Sequence, residues 1–251
     1  MTVPDAYVLL AARGVRVAVR RDLAPALGPW LLAPELRLPA GATPVAGGRG
    51  ATFRVALADG RRAIVRLYRR GGLVARLVRE TYLGVRARPL RELVVVDEAR
   101  RRGVAAAEVL AARVDGGLVH RGALVTAEVP GAATLLEALR AAPDVAARRA
   151  LAGAAGRAVA ALHAAGVFHA DLNLTNILVR PGPRAPHATL VDFDRARLHG
   201  GPLGRRARRR NLRRLARSAA KLDPARVATG VEETRAFVAA YGAGAEDACA
   251  C

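Results

Sequence analysis

The chain of 251 residues is poor in several things that would name a class of protein. Its two cysteines, Cys249 and Cys251, stand one residue apart at the extreme C-terminus with no second ligand pair near them, which argues against a disulfide framework and a structural zinc. Aromatic residues are 4%, too few to build stacking platforms along a single-stranded nucleic acid. No uncharged apolar run approaches the roughly 20 residues of a membrane-spanning helix. The nearest, Leu23 to Pro34, contains three prolines. The first residues, with Asp5 and no basic cluster ahead of an apolar segment, do not read as a signal peptide. Lysine is almost absent: Lys221 is the single one, so the net charge of +20 is carried by arginine. With alanine and glycine also abundant, that imbalance reads as compositional bias rather than as a surface selected for a polyanion, and no nucleic-acid partner is expected. The positive field would still attract anionic headgroups or phosphates.

Hydrophobic residues at 52% supply a real core, and the length suits one ordinary domain or two small lobes. Residues 1–44 mix short apolar runs with prolines and show no clear period. From Thr52 the pattern sharpens: Phe53, Val55 and Leu57 alternate, Asp59-Gly60 is a hairpin turn, and Ala63 to Leu67 resumes the strand. Pro89 to Arg102 reads as a helix with Gly103 just past its end. A strand over Ala123 to Val129 stops at Pro130-Gly131. Thr134 and Glu137 then form a capping-box pattern, and Asp144 caps an alanine-rich helix ending near His163, with Gly166 in the left-handed position beyond it. Two short strands, Asn176 to Arg180 and Ala188 to Val191, and a helix over Arg205 to Leu222 complete the pattern.

The chemistry lies in His169-Ala170-Asp171-Leu172-Asn173-Leu174-Thr175-Asn176, followed sixteen positions after Asn176 by Asp192-Phe193-Asp194. Phosphoryl transfer from a nucleotide needs one carboxylate beside the acceptor hydroxyl, to orient it and receive its proton. It also needs a carboxylate and an amide oxygen to hold Mg²⁺ against the phosphates. An aspartate followed five residues later by an asparagine, on a loop entering a strand, places two such groups at one end of a cleft. An aspartate at the end of the next strand adds the third.

These motifs resemble the protein-kinase-like superfamily, with its H-x-D-L-x-x-x-N catalytic loop and D-F metal motif. The resemblance implies that Asp171 is the catalytic base, that Asn176 and Asp192 are magnesium ligands, and that His163 and His169 organise the loop. Gly47-Gly48-Arg49-Gly50, ahead of the first hairpin, fits a glycine turn whose backbone approaches phosphates, with Gly48 and Gly50 contributing. Arg66 stands where protein kinases carry a phosphate-contacting lysine, and Glu92, in the following helix, is its expected partner ahead of Glu98, unless these glutamates are solvated helix charges. Glu128 opens the expected hinge, which ends at Gly131, and is counted with the nucleotide-binding residues. Ala170 replaces an arginine common in protein kinases, Asp194 replaces the usual glycine, and no Ala-Pro-Glu follows. Only 59 residues come after Asp192, too few for a peptide-docking lobe.

A narrower resemblance covers Gly47 to Lys221. Arg66 to Val74, Arg91-Glu92-Leu93, His169 to Asn173, Val191 to Arg195 and Asn211 to Leu215 are similar to the 3-deoxy-D-manno-octulosonic acid (Kdo) kinase family of lipopolysaccharide synthesis. The resemblance implies an α+β, bilobal protein-kinase-like fold with a reduced helical C-lobe. Residues 1–44 would form an N-terminal extension packing on the N-lobe, 45–128 the nucleotide-binding N-lobe, and 129–251 the C-lobe with a disordered tail near 243–251. It implies ATP and Mg²⁺ as cofactors and a hydroxyl of Kdo on a lipid A precursor as acceptor. The site would be cytoplasmic, peripheral on the inner membrane. Eight arginines within Arg205 to Arg217 suit an anionic lipid surface, or a solvated helix face. Two other readings stay open: a kinase of the same fold acting on heptose or a small molecule such as an antibiotic, and a kinase-like scaffold without turnover.

Overall fold

The computed structural model describes residues 2–45, 51–69, 88–115, 121–182 and 185–242. The glycine turn with Gly48 and Gly50, the Arg70-Gly71-Gly72 segment, and the C-terminal tail with both cysteines lie outside the described residues. The chain divides into two compact units, Met1–Asp97 with Glu108–Glu128, and Glu98–Ala107 with Val129–Cys251.

The first unit is built on a seven-stranded antiparallel sheet. Its strands are β1 (Tyr7–Ala12), β2 (Val15–Arg20), β3 (Thr43–Pro44), β4 (Thr52–Ala56), β5 (Arg62–Arg69), β6 (Val109–Asp115) and β7 (Arg121–Ala127), in the order β1-β2-β6-β7-β5-β4-β3. The Asp59-Gly60 turn joins β4 to β5, with Gly60 at φ +81°, a conformation that glycine reaches without a Cβ penalty. β1 and β2 come from the segment whose sequence shows no period. β2 explains why: Val17, Ala18 and Val19 are all buried, so neither alternation nor a polar face marks it.

Helix α1 (Ala24–Leu32) lays Leu27 and Leu31 in one core with Val17, Val19, Val55, Val65, Leu110 and Val125. Its C-terminus is closed from the sheet by Arg113, which is 1% exposed. That guanidinium donates to the carbonyls of Leu31 and Ala33, both at 2.7 Å, and pairs with Asp115 at 2.6 Å. A cation among the unpaired carbonyls of a helix end is favourable, and the carboxylate offsets its burial.

Helix α2 (Arg88–Arg101) begins in the first unit, and its last turn belongs to the second. The second unit is mainly helical: α3 (Leu135–Ala141), α4 (Val145–Ala164), α5 (Arg205–Leu222) and α6 (Val231–Tyr241). Thr134 and Glu137 close a capping box on α3, and the Asp144 carboxylate accepts the Ala147 N–H at 2.7 Å to cap α4. α4 is the central helix. Gly153 and Gly156 let it approach α6 so closely that a Cβ on Gly156 would meet the Phe237 carbonyl at 2.4 Å. Strands β8 (Ala133–Thr134), β10 (Ile177–Arg180) and β11 (His187–Leu190) form a three-stranded sheet, and β9 (Val167–Phe168) pairs with β12 (Arg197–Leu198). The antiparallel pairing of β10 with β11 sets Ile177 opposite Leu190, so the residues flanking them, Asn176 and Val191, stand side by side.

Candidate active site

The loop between β9 and β10 folds on its own polar side chains. Asn173 Oδ1 accepts from the Thr175 N–H at 2.8 Å, the Thr175 hydroxyl at 2.7 Å and the Asn176 N–H at 3.0 Å. The Asp171 carbonyl accepts from the amide groups of Asn173 at 3.1 Å and Asn176 at 2.9 Å. An asparagine that satisfies several backbone donors at once closes a tight turn without help from a ladder. Because the Asn176 amide nitrogen is spent on this contact, the orientation of its amide is set, with the oxygen turned away from the Asp171 carbonyl.

One histidine ties this loop to the Asp-Phe-Asp turn. His169 is fully buried. Its Nδ1 accepts the Asp171 N–H at 3.2 Å and its Nε2 donates to the Val191 carbonyl at 3.1 Å. That pairing requires the neutral ring, and burial holds the pKa below the usual value, with the nearby carboxylates of Asp192 and Asp171 opposing. Phe193, 2% exposed, packs its ring 5.0 Å from the imidazole. The Val191 N–H donates to the Asn176 carbonyl at 3.0 Å. Asp192 follows with φ +62°, a left-handed conformation that costs a residue with a Cβ about 1–2 kcal/mol. The two motifs separated in sequence are thus one hydrogen-bonded body, and Asp171, Asn176 and Asp192 are all part of it.

Helix α5 backs the loop. Asn211, fully buried, accepts the His169 N–H at 3.1 Å and donates to the His169 carbonyl at 2.7 Å. These two bonds fix which end of its amide is oxygen. His163 Nε2, at 3.2 Å from that oxygen, is therefore the donor, and its Nδ1 accepts the Tyr241 hydroxyl at 2.7 Å. Burial pushes the His163 pKa down to about 4. One turn beyond Asn211, Arg214 places Nε 3.0 Å from Asp171 Oδ1 and brings Nη2 to the same oxygen. A further turn on, the Ser218 hydroxyl accepts the Leu174 N–H at 3.3 Å.

In the first unit, Arg66 of β5 and Glu92 of α2 form an ion pair, and Glu92 is 5% exposed. The Tyr68 hydroxyl donates to the same glutamate oxygen at 2.7 Å, and the Arg66 guanidinium lies 4.9 Å from the Tyr68 ring centre. Glu128 sits elsewhere in that unit. Its carboxylate pairs with Arg54 at 2.6 Å and Arg62 at 2.8 Å, binding β4 and β5 to the end of β7.

Three participants escape a reading of the motifs. Tyr68 carries a faint signal, two residues from Arg66 and so on the same face of the strand. Asn211 and Arg214 lie in the family-like segment Asn211 to Leu215, but within its run of charge nothing local assigns either residue a role.

A kinase-like fold in which one histidine joins a His-Ala-Asp loop to an Asp-Phe-Asp turn defines a phosphotransferase of the protein-kinase-like class. Residues 44–241 match the lipopolysaccharide kinase (Kdo/WaaP) family, and the chain belongs to that family. It is 37% identical over 208 residues to a 3-deoxy-D-manno-octulosonic acid kinase of Xanthomonas axonopodis pv. citri (strain 306), covering 79% of this chain and 80% of that one. A protein of the same name from Xylella fastidiosa (strain M12) is 35% identical over 180 residues, 70% of this chain and 68% of its own. Among solved structures, WaaP in complex with acyl carrier protein superposes with a TM-score of 0.50 at 22% identity, over 81% of this chain and 78% of that one.

Proposed function

We propose that this protein transfers the γ-phosphoryl group of ATP to a hydroxyl of Kdo in the lipid A-linked inner core of lipopolysaccharide. The observation that carries the reading is the single hydrogen-bonded body containing Asp171, Asn176 and Asp192. Family membership and the named relatives support the acceptor.

In this reading Asp171 orients the acceptor hydroxyl. The acceptor oxygen forms a bond to the γ-phosphorus while the bond to the β,γ-bridging oxygen breaks. ADP leaves, and the hydroxyl proton passes to Asp171 and then to water. Arg66, held by Glu92 and Tyr68, is assigned to the nucleotide phosphates, which a guanidinium meets as a fork. Gly48, Gly50 and Glu128 complete the proposed nucleotide-binding set, Glu128 by its place where the chain leaves the first unit.

The donor set suits magnesium. No group of three or more histidine, cysteine or acidic residues able to hold a metal occurs among the described residues. A carboxylate at Asp192 and the turned-out amide oxygen of Asn176 are what Mg²⁺ takes when phosphates and water supply the remaining ligands. Bound there, the ion would neutralise charge on the phosphate oxygens.

The acceptor's lipid agrees with the surface of the second unit. Arg205, Arg206, Arg209, Arg210, Arg213 and Arg217 of α5 are exposed, and at about 100° per residue they span roughly 140° of the helix. Arg213 and Arg217 also line an apolar cavity of about 510 Å³ walled by Leu135, Leu139, Leu212 and Phe237. No helix among the described residues is long and apolar enough to cross a membrane. We assign this face to the anionic cytoplasmic surface of the inner membrane, as a peripheral contact.

The test is incubation with γ-labelled ATP and Mg²⁺ in the presence of Kdo-bearing lipid A precursor, the same lipid without Kdo, a heptose-bearing core, or duplex DNA. Label on the Kdo-bearing lipid alone is expected. Label on the Kdo-free lipid, or on heptose only, would overturn the acceptor assignment.

A further inference from the structure

We infer that Arg214 is a positioning residue of the transfer reaction, holding the Asp171 carboxylate in the orientation from which it directs the nucleophile. The inference rests on the proposed role of Asp171 and gives a role to a residue of the family-like segment Asn211 to Leu215 to which the sequence alone assigned none.

Three observations carry it. The first is the contact itself: two nitrogens of one guanidinium, Nε and Nη2, engage one oxygen, Oδ1, which restrains rotation of the carboxylate about its Cβ–Cγ bond. The second is register. Asn211 grips His169 through both its amide groups, Arg214 meets Asp171, and Ser218 meets Leu174. Successive turns of α5 therefore meet successive parts of the loop. The buried Asn211 bonds fix that alignment, so Arg214 reaches Asp171 by construction and not as a wandering surface side chain. Arg214 is half-buried, whereas Arg205, Arg206, Arg209, Arg210, Arg213 and Arg217 of the same helix are exposed. The third is what the loop lacks. Residues 170–175 contain no basic side chain, so a cation beside Asp171 has to come from another element, and α5 supplies Arg214 from 43 residues further on.

The chemistry accommodates such a cation. In a loose transition state the acceptor loses its proton late, so the base is needed more for aim than for strength. A guanidinium opposite the carboxylate fixes its aim. Misplacing a group by a small distance can cost a hundredfold in rate, which makes aim the larger effect.

The experiment compares wild type with Arg214→Ala, Arg214→Gln and Arg214→Lys, using Arg235→Ala as a control for loss of charge. Two reactions are followed: transfer to Kdo-bearing lipid A precursor, and slow hydrolysis of Mg·ATP, in which water takes the place of the hydroxyl beside Asp171. The Ala and Gln variants should lose about 10–100-fold in kcat in both reactions, with KM for ATP within twofold of wild type and an unchanged melting temperature. The Lys variant should retain more, and millimolar guanidinium should restore part of the loss in the Ala variant. Arg235→Ala should behave as wild type. Rates within twofold of wild type in Arg214→Ala would overturn the inference. So would a loss confined to the sugar acceptor, which would make Arg214 an acceptor contact, or a loss that tracks a fall in melting temperature and ignores guanidinium. Failure of the wild type to label the sugar would count against the proposed acceptor alone, because the hydrolysis measurement still decides the role of Arg214.

Discussion

Asp171 is constrained from three directions: its N–H by His169, its carbonyl by Asn173 and Asn176, and its carboxylate by Arg214. Asp171→Ala removes only the last group, so the loop should keep its shape. Turnover should fall by about 10²–10⁴-fold, the usual worth of a positioned proton acceptor, while titration calorimetry should find Mg·ATP affinity within several-fold of wild type. Retention of most phosphoryl transfer would refute the assignment. His163 makes a second prediction, concerning pH. Its pKa of about 4 in the folded chain lies below the 6.5 of an exposed imidazole, so the unfolded chain binds the extra proton between those values. Stability is therefore full above about pH 6.5 and declines as pH falls toward 4, by about 3 kcal/mol from this residue. His163→Gln can still donate to Asn211 but does not titrate. Urea midpoints measured from pH 7 to 4.5 should fall less steeply for that variant than for wild type.

Between elements, the closest fit is α4 against α6. Gly156→Ala would set a methyl group at 2.4 Å from the Phe237 carbonyl, and since that oxygen belongs to helix backbone, the helices must separate. The expected cost is about 1–3 kcal/mol, the range for overpacking, read as a lower melting temperature. Tyr241, which donates to His163, lies on α6, so activity should fall with stability. Elements marked by local chemistry were legible in the sequence. The Asp-Gly turn, the Thr134 capping box, the Asp144 cap, the left-handed Gly166 at φ +73° and the limits of α5 all follow from a few adjacent residues. β1, β2 and α6 did not show. The centre of β2, Val17 to Val19, is buried on both faces, and α6 owes its place to glycines of α4, about eighty residues earlier, that make room for it.

Across the whole chain, the arginine excess splits into distinct uses. Arg66 serves Glu92, Arg113 closes a helix, Arg214 meets Asp171, and six arginines of α5 remain on one exposed face. Composition alone merges these, because a count of charge carries no information about what each one faces. The ion pair of Arg66 with Glu92 could be expected from the resemblance; the contacts of α5 with the loop between β9 and β10 could not, since they depend on how two distant segments pack. The exposed face yields a prediction for the intact protein. Substituting Arg206→Glu, Arg209→Glu and Arg213→Glu together should weaken association with anionic vesicles by at least a hundredfold, at about 1 kcal/mol for each charge lost. Sedimentation with vesicles at low and high salt measures this, and ATP binding should be spared. Unchanged sedimentation would count against the membrane assignment.

The Asn211 clamp has a consequence for the order in which the protein is made. His169 leaves the ribosome 42 residues before the side chain that grips it. Until α5 has emerged, the loop between β9 and β10 lacks the side chain that holds the His169 backbone. A message broken anywhere between Asp194 and Asn211 would still spell a phosphotransferase to any reader of motifs, yet its product would lack the clamp on His169.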